Sequence, residues 1–329
     1  MIFRNFSDYL NTSNQFFLGI PTVNVGSVSV IQMNSIEFPS VSSSCSIMKK
    51  EAFLKLYSEY LERSALASNY QSTENIKCFD LLSGRINILE RGHLSYGKNF
   101  ITGYCDTTGT SSNPFSSSNS VKKAIAELIE KNELIFFWYL NLGEKIDIND
   151  SKVKSLIGEN LLANYEIFLF KIGILSSWFT VIGILFKDGQ VVSTGICCNE
   201  NYKCALEGAI QEMKILRVLN SYKLYSNFPL TQEEQNIIYK KICHFENKII
   251  SSKLKKVSSD LNLSINEMIS DLNIAILSRN KFTAVVSVYS SSLIKCLPIK
   301  ENLMKCVEVD IVKKIGINSI INTPDCIVL

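Results

Sequence analysis

Three strand-length runs follow one another between residues 165 and 197: Tyr165 to Ile172, Trp178 to Phe186 and Gln190 to Cys197. The tetrad Lys187-Asp188-Gly189-Gln190 marks a hairpin between the last two, because Asp-Gly accepts the positive φ that a two-residue turn demands. Helix-like stretches surround these runs: Lys50 to Ser68 and Ser120 to Leu140 before them, Asn201 to Ser221 after. A chain patterned this way covers its sheets with helices. The expected class is therefore α/β, of the mixed α+β kind, with mixed β-sheets flanked by helices.

The remaining elements are weaker. Val23, Val25, Val28 and Val30 suggest an early strand pair around Gly26, and the serine-rich Phe38 to Ser46 reads as a loop. Ile76 to Leu89 holds strand-like runs broken at Ser83-Gly84. Gly92 to Phe115 is loop-rich, with a short strand near Phe100-Ile101-Thr102. Asn119 or Ser120 is the expected cap of the second helix. Ser151 to Asn160 reads as a short helix and Leu230 to Asp271 as mostly helical and polar. Ile274 to Ser278 and Thr283 to Tyr289 pair across Arg279-Asn280.

At 329 residues the chain exceeds the roughly 250–300 residues of one simple core, so one large or two intimately joined lobes are expected. A net charge of +3 with scattered Lys and Arg argues against nucleic acid, and Lys253-Leu254-Lys255-Lys256 reads as a solvated helix face. Ten cysteines without a pairing pattern, and no secretory signal, point to a reducing cytoplasm where most thiols are simply buried. No apolar run reaches the ~18–20 residues of a membrane span. Cys197-Cys198 suits a strand, His93 and His244 have no evident metal partners, and a zinc site is not expected.

One signature occurs twice. Glu59-Tyr60-Leu61-Glu62-Arg63 and Glu127-Leu128-Ile129-Glu130-Lys131 each read Glu-x-x-Glu followed by a cation. Spacing of i, i+3 and i+4 gathers the charges of each copy on one helix face. Such patterns are common as ordinary surface ion pairs. Here the glutamates sit among Leu56, Tyr57, Tyr60 and Leu61, and among Ala124, Ile125, Leu128 and Ile129. A third stretch, Ala205 to Arg217, adds Glu207, Gln211 and Glu212 in an apolar frame. Four carboxylates on two helices suit a hard cation such as Mg²⁺. Asp106 to Asn113 supplies glycine, hydroxyl and amide groups leading toward a helix, which suits phosphate oxygens.

These segments resemble the YcaO family. Glu59, Glu62 and Arg63 match its first Glu-x-x-Glu-Arg helix. Asp106 to Asn113, then Glu127, Glu130 and Lys131, then Phe136-Phe137-Trp138-Tyr139, match its D-S-T-G segment and second glutamate helix. Gly195, Ala205-Leu206, Ala209-Ile210, Glu212 and Arg217 match its third segment. The resemblance runs from about residue 40 to 220. It departs at Lys131, where arginine is usual, at Lys55, Ile215 and the loop from Ser111 to Asn119, and at the tail from Thr323 to Leu329, which is not proline-rich.

The resemblance implies a YcaO-like fold with its nucleotide site between helices. The whole of 1–329 would form one such domain: a strand-rich lead-in at 1–48, a nucleotide-binding core at 49–222 and a helical and strand region at 223–329. It implies ATP and Mg²⁺, with Glu59, Glu62, Glu127 and Glu130 as metal ligands. Arg63, Ser111, Ser112, Asn113, Lys131, Glu212 and Arg217 would meet the nucleotide, and Asp106 would support them or cap a turn. Phe136 to Tyr139 is expected in the core. The implied activity is a cytoplasmic cyclodehydratase of microcin-type thiazole/oxazole synthetases, a class of bacteriocin biosynthesis. It would phosphorylate a backbone amide oxygen of a ribosomally made precursor peptide. Fewer than ~50 residues precede the first motif, too few for a leader-recognition domain, so an E1-like or leader-peptide-recognition partner protein is expected. A homodimer is allowed for. Three alternatives stay open: a nucleotide-binding scaffold without cyclodehydration, a thioamide-forming enzyme, and an unrelated carboxylate-rich metal enzyme.

Overall fold

The structure, a computed structural model, describes residues 9–12, 23–27, 31–33, 36–38, 41–45, 49–99, 103–113, 116–221, 230–248, 253–279 and 283–328. Strands β1 (Tyr9–Thr12), β2 (Val23–Ser27), β3 (Ile31–Met33), β4 (Ile36–Phe38) and β5 (Val41–Cys45) precede helix α1 (Lys49–Ser68). Then come β6 (Asn75–Asp80), β7 (Ile86–Glu90), β8 (Gly97–Asn99), β9 (Gly103–Cys105) and β10 (Thr110–Asn113). Helix α2 (Ser117–Leu140) leads through β11 (Glu144–Lys145), α3 (Ser151–Ile157) and α4 (Glu159–Asn164) to the meander β12 (Glu166–Ile172), β13 (Phe179–Lys187) and β14 (Gln190–Asn199). Helices α5 (Tyr202–Ser221) and α6 (Gln232–Cys243) follow, then β15 (Leu254–Ser258), β16 (Leu263–Asn266), β17 (Asn273–Arg279) and β18 (Ala284–Tyr289). Short helices α7 (Lys300–Lys305), α8 (Asp310–Ile315) and α9 (Ile317–Asn322) close the described chain. The class is mixed α+β, with antiparallel ladders throughout the described sheets. Among the described residues no helix is long and apolar enough to cross a membrane.

The chain divides into two compact units, each made of separated segments. The first holds residues 1–128, 268–297 and 305–311, the second 129–267, 298–304 and 312–329. The first unit carries a five-stranded sheet in the order β10-β18-β17-β6-β7. Its β6 alternates with period two: Ile76, Cys78 and Asp80 are buried while Asn75, Lys77 and Phe79 face outward. Helix α1 covers the inner face, where Ala65 and Leu66 join Ile76, Cys78, Ala275 and Leu277 in one cluster.

The second unit is built on the four-stranded sheet β11-β12-β13-β14. Helix α5 lies on it so closely that a Cβ at Gly195 would meet the Ala209 carbonyl oxygen at 2.2 Å, and one at Gly208 the Cys197 sulfur at 2.4 Å. Asn201 caps α5, its side chain accepting from the N–H groups of Lys203 (2.9 Å) and Cys204 (3.3 Å). The later part of α2 buries Phe136, Phe137, Trp138 and Tyr139 as expected. Phe137 stacks within 5.1 Å of Phe245, and Trp138 Nε1 donates to the Pro324 carbonyl at 2.8 Å.

Several expectations need correction. Gly26 lies inside β2, which pairs with both β1 and β5, so it is no turn. Residues 41–45 of the supposed serine loop form β5, where ladder hydrogen bonds override the local turn preference of serine. Thr110–Asn113, read as loop, is strand β10 paired with β18. Helix α2 starts earlier than expected: Ser116 caps it by accepting the Asn119 N–H at 3.2 Å, which leaves Asn119 and Ser120 inside the helix. Gly158, at φ 90, splits the 151–160 helix in two. Among the described residues of 230–271 only α6 is helical, and Lys255 and Lys256 of the basic run sit on the exposed strand β15 rather than on a helix. The strand expected at Phe100 to Thr102 lies outside the described residues.

Candidate functional site

The candidate residues of the first unit gather on α1 and β10. Glu62 is buried on α1, one turn from the buried Ser58 and Leu66. It accepts the Ser112 N–H at 2.7 Å, an amide that β10, as the edge of its sheet, turns outward. Lys123 Nζ stands 3.7 Å from the same carboxylate. Burial pushes the Glu62 carboxyl upward, against the pull of Lys123, the Ser112 amide and Arg63. Arg63 pairs with Glu59 at 2.5 Å. Among the described residues, the buried Arg63 Nε, Ser111 Oγ and Ser112 Oγ find no hydrogen-bond partner. Unsatisfied buried donors of this kind are costly and call for a partner, which water, an ion or a ligand would supply.

Register separates the two serines. Ser112 lies opposite Val285, which belongs to the cluster packed on α1, so its side chain shares the face of Glu62. Ser111 lies opposite Val286 and points to the other face. Asn113 Oδ1 accepts the Ser116 N–H at 3.1 Å just before α2. Asp106 is a turn cap: its carboxylate takes the N–H groups of Thr108 and Leu297, both at 2.7 Å. Glu127 is half-buried on the first-unit part of α2.

The second unit brings together Glu130, Lys131 and Glu212. Strand β14 ends its sheet, and its outward amides at Ile196 and Cys198 donate to Glu212 (2.6 Å) and Glu130 (3.0 Å). Lys131 Nζ is 3.1 Å from Glu130. Burial lifts the Glu212 carboxyl to about 7; Lys131 opposes the rise and the Glu130 charge adds to it. Arg217 stands apart from this group. Its Nε donates to the Tyr165 hydroxyl at 3.2 Å and its guanidinium lies 4.8 Å from that ring centre.

No three His, Cys, Asp or Glu side chains converge as a metal cage among the described residues. A Mg²⁺ that takes most of its ligands from phosphate and water needs only one or two carboxylates. The buried Glu62 carboxylate, with unpartnered Arg63 Nε and Ser112 Oγ in the same unit, fits that demand.

No sequence-family model and no curated protein sequence matches the chain. Solved structures do. YcaO from Methanopyrus kandleri bound with AMPPCP and Mg²⁺ superposes with a TM-score of 0.65 at 12% identity, over 88% of this chain and 86% of that one. The Escherichia coli microcin synthetase McbBCD complex with pro-MccB17 bound gives 0.59 at 12% identity, over 88% and 93%. A heterocyclase in complex with substrate and cofactor gives 0.59 at 8% identity, over 89% of this chain but 50% of that longer one. The chain has the YcaO fold.

Within the YcaO fold the expected residues fall into two groups. Glu59, Glu62, Arg63, Ser111, Ser112, Asn113 and Glu127 belong to the first unit, and Glu130, Lys131, Glu212 and Arg217 to the second. Sequence reasoning missed Lys123, which faces Glu62, and two buried ionisable groups. Lys295 is fully buried and donates to the Thr108 carbonyl (2.6 Å) and Thr110 Oγ1 (3.0 Å), holding the turn before β10. Glu133 is fully buried and accepts from Ile174 (2.7 Å) and Leu175 (2.6 Å). A signal for Glu133 existed, since it continues the i+3 spacing of Glu127 and Glu130.

Proposed function

We propose that this protein uses ATP and Mg²⁺ to phosphorylate a backbone amide oxygen of a ribosomally made precursor peptide, closing azoline rings as a cyclodehydratase. The observation that carries the reading is the buried Glu62 carboxylate joined to the β10 amide of Ser112, with Arg63 Nε and Ser112 Oγ left without partners among the described residues. The fold supports it, because structures of this fold include one bound with AMPPCP and Mg²⁺ and one bound with pro-MccB17.

The pair Glu59 and Glu62 and the pair Glu127 and Glu130 would each offer carboxylates to one or two Mg²⁺, and the ion would supply neutralisation of phosphate charge. Arg63, Ser112, Asn113 and Lys131 would donate to the nucleotide, with Ser111 serving through its strand rather than through the Glu62 face. Glu212 would line the site; Arg217, held against Tyr165, stands apart from it. A carboxyl that titrates near neutrality, as at Glu212, suits taking a proton from an incoming nucleophile. In the peptide, a cysteine, serine or threonine side chain adds to the preceding carbonyl carbon. The former carbonyl oxygen then takes the γ-phosphoryl group of ATP. The carbon–oxygen bond breaks as the ring double bond forms, and ADP and phosphate leave.

Mass spectrometry of a cognate precursor incubated with ATP, the chain and its partner tests this. A loss of about 18 Da per ring, the mass of the oxygen removed as phosphate together with two protons, is expected. A gain of about 16 Da would reassign the product to a thioamide. An unchanged precursor without phosphate release would favour the scaffold reading.

A further inference from the structure

Leu94, Ser95 and Tyr96 run alongside α1 in the first unit. Leu94 is buried with Ala65 and Leu66, and the Ser95 hydroxyl donates to the Leu66 carbonyl. These contacts fix Tyr96 against the helix that carries Glu59, Glu62 and Arg63. The Tyr96 ring stacks on Phe38 at a centroid distance of 5.4 Å, and Phe38 meets Tyr70 edge-on at 5.3 Å. Strand register fixes the other side. Gly97 lies opposite Cys105, so Tyr96 falls opposite Asp106 where the β8–β9 ladder runs out.

The Tyr96 hydroxyl is buried and finds no hydrogen-bond partner among the described residues. The acceptors around it are engaged elsewhere. Asp106 takes the Thr108 amide on Oδ1 and the Leu297 amide on Oδ2. Glu59 pairs with Arg63, and Glu62 accepts the Ser112 amide. The charges of Arg63, Asp106, Glu59 and Glu62 all act on the hydroxyl, so it sits among them. Burial pushes the phenol up, which keeps it a neutral donor. Arg63 Nε and Ser112 Oγ are the other unsatisfied buried groups of this cluster. The ring of Tyr96 has its packing partners, while its oxygen has none and costs stability.

We propose that the Tyr96 hydroxyl is a nucleotide-binding donor, giving its hydrogen bond to a phosphate oxygen of the Mg²⁺-bound nucleotide beside Arg63 Nε and Ser112 Oγ. This role rests on the magnesium–nucleotide reading of the site. A neutral donor suits a place set among Glu59, Glu62 and Asp106. An ammonium there would be captured by a carboxylate and would compete with the metal ion for it. A phenol donates to a charged oxygen, a strong kind of hydrogen bond, and leaves the carboxylates free for the cation.

Calorimetric titration of a non-hydrolysable ATP analogue with Mg²⁺, paired with thermal melts, tests this on the wild-type chain, Tyr96→Phe and Tyr70→Phe. Tyr96→Phe keeps the ring and its packing. It should melt no lower than wild type and bind the analogue at least about tenfold more weakly. Tyr70 shares the aromatic cluster, but its hydroxyl accepts from Gln71 at 3.3 Å, so Tyr70→Phe should bind like wild type. If the wild-type chain binds the analogue and Tyr96→Phe binds it equally well, the proposal is overturned while the nucleotide site stands; water would then satisfy the hydroxyl. A lowered melting temperature in Tyr96→Phe, or equal weakening in Tyr70→Phe, overturns it too, because the tyrosines would then serve the fold. No binding by the wild-type chain refutes the site and this role together.

Discussion

Buried carboxyls set what single residues can do in this protein. Glu62→Gln keeps an acceptor for the Ser112 amide and removes a charge that burial disfavours. Its melting temperature should match or exceed that of the wild type, while Mg²⁺-dependent nucleotide affinity falls at least about tenfold, or ~1.4 kcal/mol. Calorimetry and thermal melts on one preparation check both; unchanged affinity would remove Glu62 from the site. Glu133 and Glu212 give a second prediction. Burial raises both carboxyls to about 7 in the folded chain, above the ~4.3 of an unfolded glutamate. Between those values the folded state binds more protons than the unfolded one, so stability is greatest below the lower value and falls as pH rises through about 7. Urea midpoints across pH 5 to 8 should therefore decline. Glu133→Gln, which mimics the protonated carboxyl, should flatten part of the decline, and a parallel slope in that variant would contradict the assignment.

Glycines decide how closely the second unit's main helix can approach its sheet. Gly195→Ala would drive a Cβ into the α5 backbone, 2.2 Å from the Ala209 carbonyl and 2.5 Å from the Met213 nitrogen. It should cost about 3 kcal/mol or more, beyond ordinary overpacking. Gly189→Ala, at φ +73 with nothing within 4 Å, should cost only the left-handed penalty of roughly 1–2 kcal/mol. Urea denaturation of the two variants checks the difference. The meander, its Asp188-Gly189 turn and the long helices were legible in the sequence because each obeys a single period over many residues. β5 and β10 were not, because serine, threonine and asparagine signal loops while long-range ladders hold these segments as strands. The ribbon β15–β16 was missed for a related reason: Lys255 and Lys256 are both exposed, so no alternation shows.

For the molecule as a whole, the fold was recognisable at 12% identity to a solved YcaO because spaced motifs carried the signal. The carboxylates of those motifs were legible too, since i, i+3 spacing is local. Their partners were not: Lys123 meets Glu62 from another helix, and the Ile196 and Cys198 amides come from a strand edge. Activity on a peptide should require a second protein. A disordered precursor loses ordering entropy on binding, and a separate recognition surface offsets it. Phosphate release by the isolated chain should be slow and rise markedly when partner and precursor are added together; full modification by the chain alone would refute this. The most direct test is calorimetric titration of a non-hydrolysable ATP analogue into the wild-type chain, with Mg²⁺ and with EDTA, repeated for Glu127→Gln and Glu130→Gln. One nucleotide site that weakens at least about tenfold in EDTA and in each variant is the predicted result. No binding, or the same affinity in all four titrations, would contradict a magnesium–nucleotide site on these helices.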